Sequence, residues 1–381
     1  MKVGILGAGQ LARMLAESGV PAGMRFVFLD PKDDPSAAAL GEHLAAQWTD
    51  PAALDRLAEC DFVTCDFENV PAEALDALGE RTKVRPSASA LAASQDRLEE
   101  KNRFRELGLD TPRYRAIDGR TDLAEAAEAL GFPFVVKTRR LGYDGKGQRL
   151  IRSHEDLEPA WQALGDHALI AEEWVDFDHE CAITAVRSAS GELRCWPLTR
   201  TVHGGGILRL AMAPEPNAGR LQDAAEDCVR RLAEDLDYIG CLTLELFAVG
   251  DRLLLNEFAP RVHNSAHWTI EGSTCSQFAN HLRAVCDLPL GDADVRGAAL
   301  MVNFIGELPD ARPWLEVPGA SWHDYGKQGR PGRKLGHATI AAAGVIELAQ
   351  RFSAIRALLE PDDAQALDSI AADCRGSNST R

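Results

Sequence analysis

Apolar and polar positions follow two different periods along this chain, and the change of period divides it. Over residues 1–95, short apolar runs (GILGA, FVFLD and FVTCDF) are each followed by helical spacing: from Gln10, from Ala52 to Leu57, and after Pro71. Apolar runs of this length between helices predict a parallel sheet wrapped by helices. A charged helix is predicted over 95–107 (QDRLEEKNRFREL), with Gly108 as its stop and TPRYRAI as extended chain after it. FPFVVKT, RLI, LIAEEWV, CAITAVRS and RCWPLT then read as strands, with helices near 121–130 and 155–164. The middle is therefore expected to be α+β rather than doubly wound. A long helical pattern from Leu221 to Leu236 leads to Gly240 and two strands, LTLELFAV and RLLLNEFA, joined by a tight turn at Gly250 and Asp251. Beyond 297, AALMVNFIG and HATIAAAG are predicted as strands flanking a loop rich in Gly, Arg and Lys, and the tail from Asp373 is expected to fray.

The first turn carries a motif. Gly7, Gly9 and Ala12 fall at the spacing G-x-G-x-x-A between a strand and a helix, and Asp30 stands 30 − 9 = 21 residues beyond Gly9. That is the form of a dinucleotide-binding fingerprint. The same glycines equally serve close backbone packing, or any anion at a helix N-terminus. The turn alone leaves a ligand site and a packing device open.

Composition narrows the classes. A length of 381 residues suggests two or three domains. A net charge of −17 argues against a general nucleic-acid binder, which needs a basic surface, but leaves room for a local pocket that takes a small anion. No apolar run reaches the ~18 residues of a membrane span, and no leader pattern precedes the first strand. The nine cysteines are scattered without a C-x-x-C, as expected of reduced thiols in a cytoplasmic protein, and Cys60 and Cys65 read as core residues.

Three constellations carry chemistry. In FPFVVKTRRLGYDGKGQ, Lys137 ends a buried strand and Gly142, Gly145 and Gly147 follow. A lysine there must find an anion or reach solvent, and glycines at this density let backbone N–H groups wrap phosphate oxygens. In LTLELF and LLLNEFAPR, alternation sets Glu245 on the face opposite Leu242, Leu244 and Leu246, and Glu257 with Asn256 lies on the adjoining strand. Two such carboxylates suit Mg²⁺, with arginine salt bridges as the alternative. The third is APRVHNSAHWT with YGKQGRPGRKLGH. Here Lys327, Arg330, Arg333 and Lys334 place four positive charges within eight residues of an acidic protein, which calls for an anion among them. Lysine, glycine loop and paired carboxylates are the equipment for phosphoryl transfer from ATP, and no P-loop motif occurs.

On the stretches GQLARM, FENVP, GYDGKGQ, HGGGIL, NEFAPRVHNSAHWT, SQFANHLRA with DLPLG, and RPGRKLGH, the chain resembles the ATP-grasp enzymes. Within them it is similar to the N5-carboxyaminoimidazole ribonucleotide synthetases. These stretches run from the first strand to the last domain. The resemblance implies an α/β and α+β architecture: a Rossmann-like N-terminal domain (1–95), an ATP-grasp region (96–296, central lid about 112–175) and a small C-terminal domain (297–381). It implies that ATP phosphorylates bicarbonate to carboxyphosphate, whose carboxyl group passes to the amine of 5-aminoimidazole ribonucleotide, directly or after CO₂ release. It also implies a cytoplasmic homodimer using Mg²⁺, or Mn²⁺ in its place, and binding neither nucleic acid nor membrane.

Residue by residue, Arg97 and Lys137 match the family's ATP phosphate contacts, and Gly142, Tyr143, Asp144, Gly145, Lys146, Gly147 and Gln148 match the loop that closes over them. Glu172, Glu173, Trp174 and Val175 match the adenine hinge strand, Glu180 the ribose contact and His203 a further nucleotide contact. Glu245 and Glu257, with Asn256, match the metal site. Arg261, His263, Asn264 and Ser265 match the bicarbonate pocket, and Lys334 joins them as a catalytic candidate. Glu68, Tyr143, Lys327, Arg333 and Lys334 match the ribonucleotide site, with Gly7, Gly9 and Gln10 as candidate contacts beside it, so Asp30 loses its ribose role. Ala266 stands where the family usually has Gly, and a slightly altered turn is expected there without loss of activity. The competing readings are a formate-using transformylase or biotin carboxylase, a nicotinamide oxidoreductase, and a non-catalytic nucleotide-binding module.

Overall fold

The computed structural model describes residues 1–142 and 147–376. Strands β1 (Lys2–Leu6), β2 (Arg25–Leu29), β3 (Glu42–Leu44), β4 (Phe62–Cys65) and β5 (Lys83–Val84) form a parallel sheet in the order β3-β2-β1-β4-β5. Both its faces are covered, which is why its central strands are apolar apart from Lys2, Arg25 and the buried Thr64. Helix α1 (Gln10–Gly19) packs Leu11 and Leu15 with Val3 and Ile5 on one face. Helices α2 (Pro51–Ala58) and α3 (Ala72–Gly79) pack Leu54, Leu57, Leu75 and Leu78 with Leu6, Val27 and Val63 on the other.

A helix that was not expected, α4 (Ala88–Gln95), precedes the charged helix predicted over 95–107, which is α5 (Arg97–Glu106). Asp96 separates them. Its backbone is extended and its carboxylate caps α5 by accepting from Leu98 N at 3.0 Å, while a second pair of bonds fastens it to Arg139 at 2.9 Å. Strands β6 (Tyr114–Ile117), β7 (Phe134–Thr138), β8 (Gln148–Ile151) and β9 (Leu169–Glu173) make an antiparallel sheet in the order β6-β9-β7-β8. Helices α6 (Arg120–Leu130) and α7 (Leu157–Leu164) cover it.

The rest is one large antiparallel sheet. It contains β10 (His179–Arg187), β11 (Leu193–Cys195), β12 (Thr199–Gly204), β13 (Ile207–Ala213), β14 (Gly240–Val249) and β15 (Arg252–Ala259), with β16 (Ala298–Ile305), β17 (Ala320–Asp324) and β18 (Lys334–Ala342). The order is β15-β14-β10-β12-β13-β16-β18-β17, with β11 beside β10, so hydrogen bonding is continuous across the 296/297 division. Helix α8 (Gly219–Asp235) covers the β14–β15 end of one face through Leu221, Val229 and Leu232. Short α9 (Thr269–Gly272) leads to α10 (Gln277–Val285), whose Phe278 and Leu282 share a core with α1 and so join the first sheet to the third.

Several expectations for the last third are corrected. The segment between β16 and β18 is no plain loop: it holds α11 (Ala311–Leu315) and β17. Helices α12 (Val345–Arg356) and α13 (Pro361–Gly376) follow, and the expected fraying from Asp373 does not occur through Gly376. Asp373 pairs with the buried Arg200 of β12 at 3.0 Å, and Asp363 takes Arg209 of β13 at 2.8 Å, so α13 is pinned to the sheet at two places.

Candidate active site

Where strands β14 and β15 pair, the register slips by one residue. Glu245 lies opposite Glu257, while Leu246 lies opposite Leu255, leaving Asn256 as the extra residue of a β-bulge. The bulge inverts the alternation of β15. Leu253 and Leu255 face the core under α8, and so does Phe258, whereas regular alternation would have sent Glu257 there. Glu257 and Asn256 therefore face the same cleft as Glu245.

That cleft, about 520 Å³, lies between the four-stranded sheet and the large sheet. Its walls include Arg97, Lys137, Gly142, Gln148, Glu172, Glu173, Trp174, Val175, Glu180, His203, Glu245, Asn256 and Glu257, together with Glu68, Arg261, His263, Asn264 and Lys334. Residues predicted from segments nearly 270 positions apart thus line a single cavity. Tyr143, Asp144, Gly145 and Lys146 lie outside the described residues.

Its charges are matched in pairs. Arg97 donates to Glu257 at 2.6 Å and to the Gly142 carbonyl at 3.1 Å. Arg261 donates to Glu68 at 2.5 Å. Lys137 donates to Glu172 at 3.0 Å; burial alone would raise that carboxyl, but the Lys101 and Lys137 ammoniums hold it down at about 2. Glu245 sits between two imidazoles, with His263 Nε2 at 3.1 Å and His203 Nε2 at 3.9 Å. Burial pushes its carboxyl up, yet His263, His203 and Lys334 bring it down to about 2. His203 in turn meets Glu180 through Nδ1 at 2.7 Å; burial opposes its protonation, and the carboxylates of Glu180 and Glu245 raise its pKa nonetheless.

Against these matched charges stand polar atoms without partners. Asn256 Oδ1, Asn264 Oδ1 and Nδ2, and Glu172 Oε1 are buried and have no hydrogen-bond partner among the described residues. Buried polar atoms are almost always paired, so four unpaired ones lining one cleft mark a place where something polar binds. At the opposite end, Phe177 stacks on Phe247 with centroids 4.9 Å apart, beside the half-exposed Trp174. Strand β9 ends at Glu173, so Trp174 and Val175 continue the expected hinge as irregular chain.

Four further residues lie elsewhere than direct contact would require. Ser265 is behind the wall, its hydroxyl 2.9 Å from His263 Nδ1, where it orients the ring. Gly147 pairs with Thr138 at the mouth of the β7–β8 hairpin; its φ is +71° and a Cβ there would lie 2.6 Å from Thr138 Oγ1, so glycine is required. Arg333 donates to the Gln328 carbonyl within its own loop. Gly9 gives its N–H to Asp66 at 2.9 Å. Gln10 and Lys327 do come together: the ammonium donates to Gln10 Oε1 and approaches the Lys334 carbonyl at 3.4 Å. Burial, with the charge of Arg333 next, pushes Lys327 down to about 7. The crowding of cations read from the sequence is therefore physical. The altered turn expected at Ala266 is not needed: it lies in a right-handed 3-10 turn (Asn264–Ala266), where any residue fits.

Sequence reasoning missed Asp66, Lys101, Gln277 and the two phenylalanines. Asp66 ends an apolar strand, as Lys137 does, and that was its signal. Gln277 clasps the His263 backbone, accepting from its N–H at 2.8 Å and donating to its carbonyl at 2.7 Å.

Fold and cleft together define an ATP-grasp protein. The ATP-grasp domain model matches residues 102–278, a ribonucleotide synthetase preATP-grasp domain matches 1–95, and a phosphoribosylaminoimidazole carboxylase C-terminal domain matches 299–351. The chain is 47% identical to an N5-carboxyaminoimidazole ribonucleotide synthase of Pseudomonas aeruginosa, over 94% of this chain and 100% of that one. It superposes on the crystal structure of the N5-carboxyaminoimidazole ribonucleotide synthetase from Thermus thermophilus with a TM-score of 0.90 at 48% identity, covering 94% and 98% of the two chains. It also superposes on an Aspergillus clavatus N5-carboxyaminoimidazole synthase solved with ADP and 5-aminoimidazole ribonucleotide, with a TM-score of 0.85 at 31% identity and 97% and 98% coverage. The chain belongs to the N5-carboxyaminoimidazole ribonucleotide synthase family.

Proposed function

We propose that the cleft binds ATP and bicarbonate and carboxylates the exocyclic amine of 5-aminoimidazole ribonucleotide, giving N5-carboxyaminoimidazole ribonucleotide, ADP and phosphate. The observation that carries this reading is the set of partnerless polar atoms on Asn256, Asn264 and Glu172 amid matched carboxylates and cations. Relatives over the full chain bear the same activity in their names.

In this reading a bicarbonate oxygen attacks the γ-phosphorus as its bond to the ADP oxygen breaks. The amine nitrogen then attacks the carboxyl carbon, phosphate leaves, and the amine loses a proton. Lys137 and Arg97 hold the phosphates, with Gly142 and Gln148 lining the cleft beside them. Glu172 to Val175 meet the base, with Phe177 and Phe247 as its apolar wall, and Glu180 and His203 meet the ribose side. A Mg²⁺ or Mn²⁺ ion would take Glu245, Glu257 and Asn256 Oδ1 with phosphate oxygens, neutralising charge on the transferring group. Asn256 Oδ1, buried and unpaired, fits that donor set. Among the described residues no cluster of three or more His, Cys, Asp or Glu forms a metal cage, so an ion here would draw its remaining ligands from the nucleotide and water.

Arg261, His263 and Asn264 form the bicarbonate pocket, oriented from behind by Ser265 and Gln277. Lys334 closes it on the acceptor side, where Lys327, Glu68 and Gln10 take the ribonucleotide. The domain division at 95/96 and 296/297, a homodimer and a cytoplasmic setting complete the proposal, and light scattering tests the dimer. The deciding experiment is ADP release from ATP, Mg²⁺ and bicarbonate with and without the ribonucleotide. Strong stimulation, with one ADP per carboxylated product, is expected. Hydrolysis indifferent to the ribonucleotide would send the search to another acceptor.

A further inference from the structure

The bulge that turns Glu257 into the cleft occurs on β15, the edge strand of the large sheet, where among the described residues no neighbouring strand holds the outer side. Side chains of α5 and the segment after it supply the missing partners. Lys101, fully buried, donates to the Asn256 carbonyl at 2.6 Å and the Leu255 carbonyl at 3.1 Å, and lies 3.4 Å from Glu172. Its neighbour Glu100, equally buried, accepts from Phe258 N at 2.7 Å. Thr111 donates to the Leu255 carbonyl at 2.7 Å, and Leu255 N donates to Asp110 O at 2.8 Å. Both sides of Asn256 and Glu257 are therefore gripped from outside the sheet.

A buried ammonium is costly to desolvate, and burial depresses the pKa of Lys101. A methionine would fill the space at less cost, so the lysine calls for a reason beyond packing. Its contacts supply one: the carbonyls it holds belong to the bulge residue and the residue before it. We propose that Lys101 is a positioning residue for the metal-binding face of the cleft: by holding the Leu255 and Asn256 carbonyls it fixes the bulge that presents Glu257 and Asn256 Oδ1 toward Glu245. The inference rests on the cleft binding a divalent cation with a nucleotide.

The test is Mn²⁺ binding in the presence of ADP, followed by the electron paramagnetic resonance of free Mn²⁺, beside ADP affinity in EDTA by calorimetry. For Lys101→Met the Mn²⁺ dissociation constant is expected to rise at least tenfold, while metal-free ADP affinity changes less than threefold. Thr111→Val, which removes one hydroxyl and leaves the lysine, is expected to shift Mn²⁺ affinity two- to threefold in the same direction. It keeps the question answerable if Lys101→Met does not fold. Unchanged Mn²⁺ affinity in the variants overturns the inference alone. An equal loss of metal-free ADP affinity also overturns it, because the lysine would then act through Glu172 and Lys137. A wild-type chain that holds no Mn²⁺ with ADP overturns both the inference and the reading on which it rests.

Discussion

The cleft and the first glycine turn look alike in sequence, a strand followed by glycines and an anion-seeking geometry, yet the structure finishes them in opposite ways. In the turn, the N–H groups of Gly7, Ala8, Gly9 and Ala12 all have partners within the chain, Gly7 N donating to the Leu29 carbonyl at 2.8 Å. Asp66 accepts from Gly9 N at 2.9 Å and Ala12 N at 3.1 Å, and Asp30 accepts from Ala8 N at 3.1 Å. Gly7, at φ +107°, lets the strand pass so near that a Cβ would lie 1.5 Å from Asp66 Oδ1. The helix N-terminus where a dinucleotide would lay its pyrophosphate is filled by the protein's own carboxylate. In the cleft the charges are paired, but amide and carboxylate atoms of Asn256, Asn264 and Glu172 are left over. What separates a packing device from a binding site is thus the presence of unspent polar groups, which a glycine spacing does not reveal.

The comparison breaks most sharply at Glu257. Replacing it with glutamine keeps its size while removing the charge that Arg97 now neutralises. ADP release in the full reaction is expected to fall about 100-fold or more, the scale for losing one group that stabilises transition-state charge. Circular dichroism should be unchanged. Turnover near the wild-type rate would take Glu257 out of the mechanism and leave its ion pair with Arg97 as structure only.

A smaller effect is expected at the border between the two regions. Lys334 lines the cleft, and its carbonyl meets Lys327, which reaches Gln10 at the start of α1. Lys334→Ala should raise the KM for the ribonucleotide by about 10-fold or more, the scale of a hydrogen bond to a charged group, with the KM for ATP changed less than about threefold. Steady-state kinetics with each substrate varied separately decides it. Equal losses would move Lys334 to the nucleotide side of the cleft.

Much of this was legible before the structure. Alternation placed Glu245 correctly, because β14 is regular and its apolar face is unbroken. The turn at Gly250 and Asp251 gave the hairpin. Glu257 lines the same cleft as Glu245, but its facing could not be read: the bulge depends on Lys101 and Glu100, 155 and more residues earlier. Lys101 looked like one more charge on a charged helix, although it stands three residues before the buried Phe104 on the same side. Helix α4 was missed because ASALAASQ carries no apolar stripe, yet Ser87 marks its start, accepting from Ala90 N at 3.2 Å. The pairing of Arg97 with Glu257 and of His203 with Glu180 joins distant segments, so those positions were reachable only through the family resemblance.

The smallest predicted effect tests the filled turn itself. Burial pushes the Asp66 carboxyl up to about 6 from its ordinary 3.8, with the Ala12 and Gly9 amides pulling the other way. A folded-state value above the unfolded one means the native chain binds the proton more tightly between those two pH values. The stability contributed by this group is full below about pH 4 and is lost as pH rises through about 6. In Asp66→Asn the side-chain amide carries no charge at any of these pH values. The unfolding free energy of Asp66→Asn relative to wild type should therefore increase by about 2–3 kcal/mol between pH 4 and pH 7, since each tenfold difference in proton affinity is worth about 1.4 kcal/mol. Urea unfolding of both proteins at a series of pH values measures it, and the difference cancels the titration of every other group. A difference that stays flat would mean that the Gly9 and Ala12 amides stabilise the carboxylate as well as water does. The turn would then be a competent anion site that happens to hold an internal anion, and the contrast with the cleft would be one of occupancy rather than of chemistry.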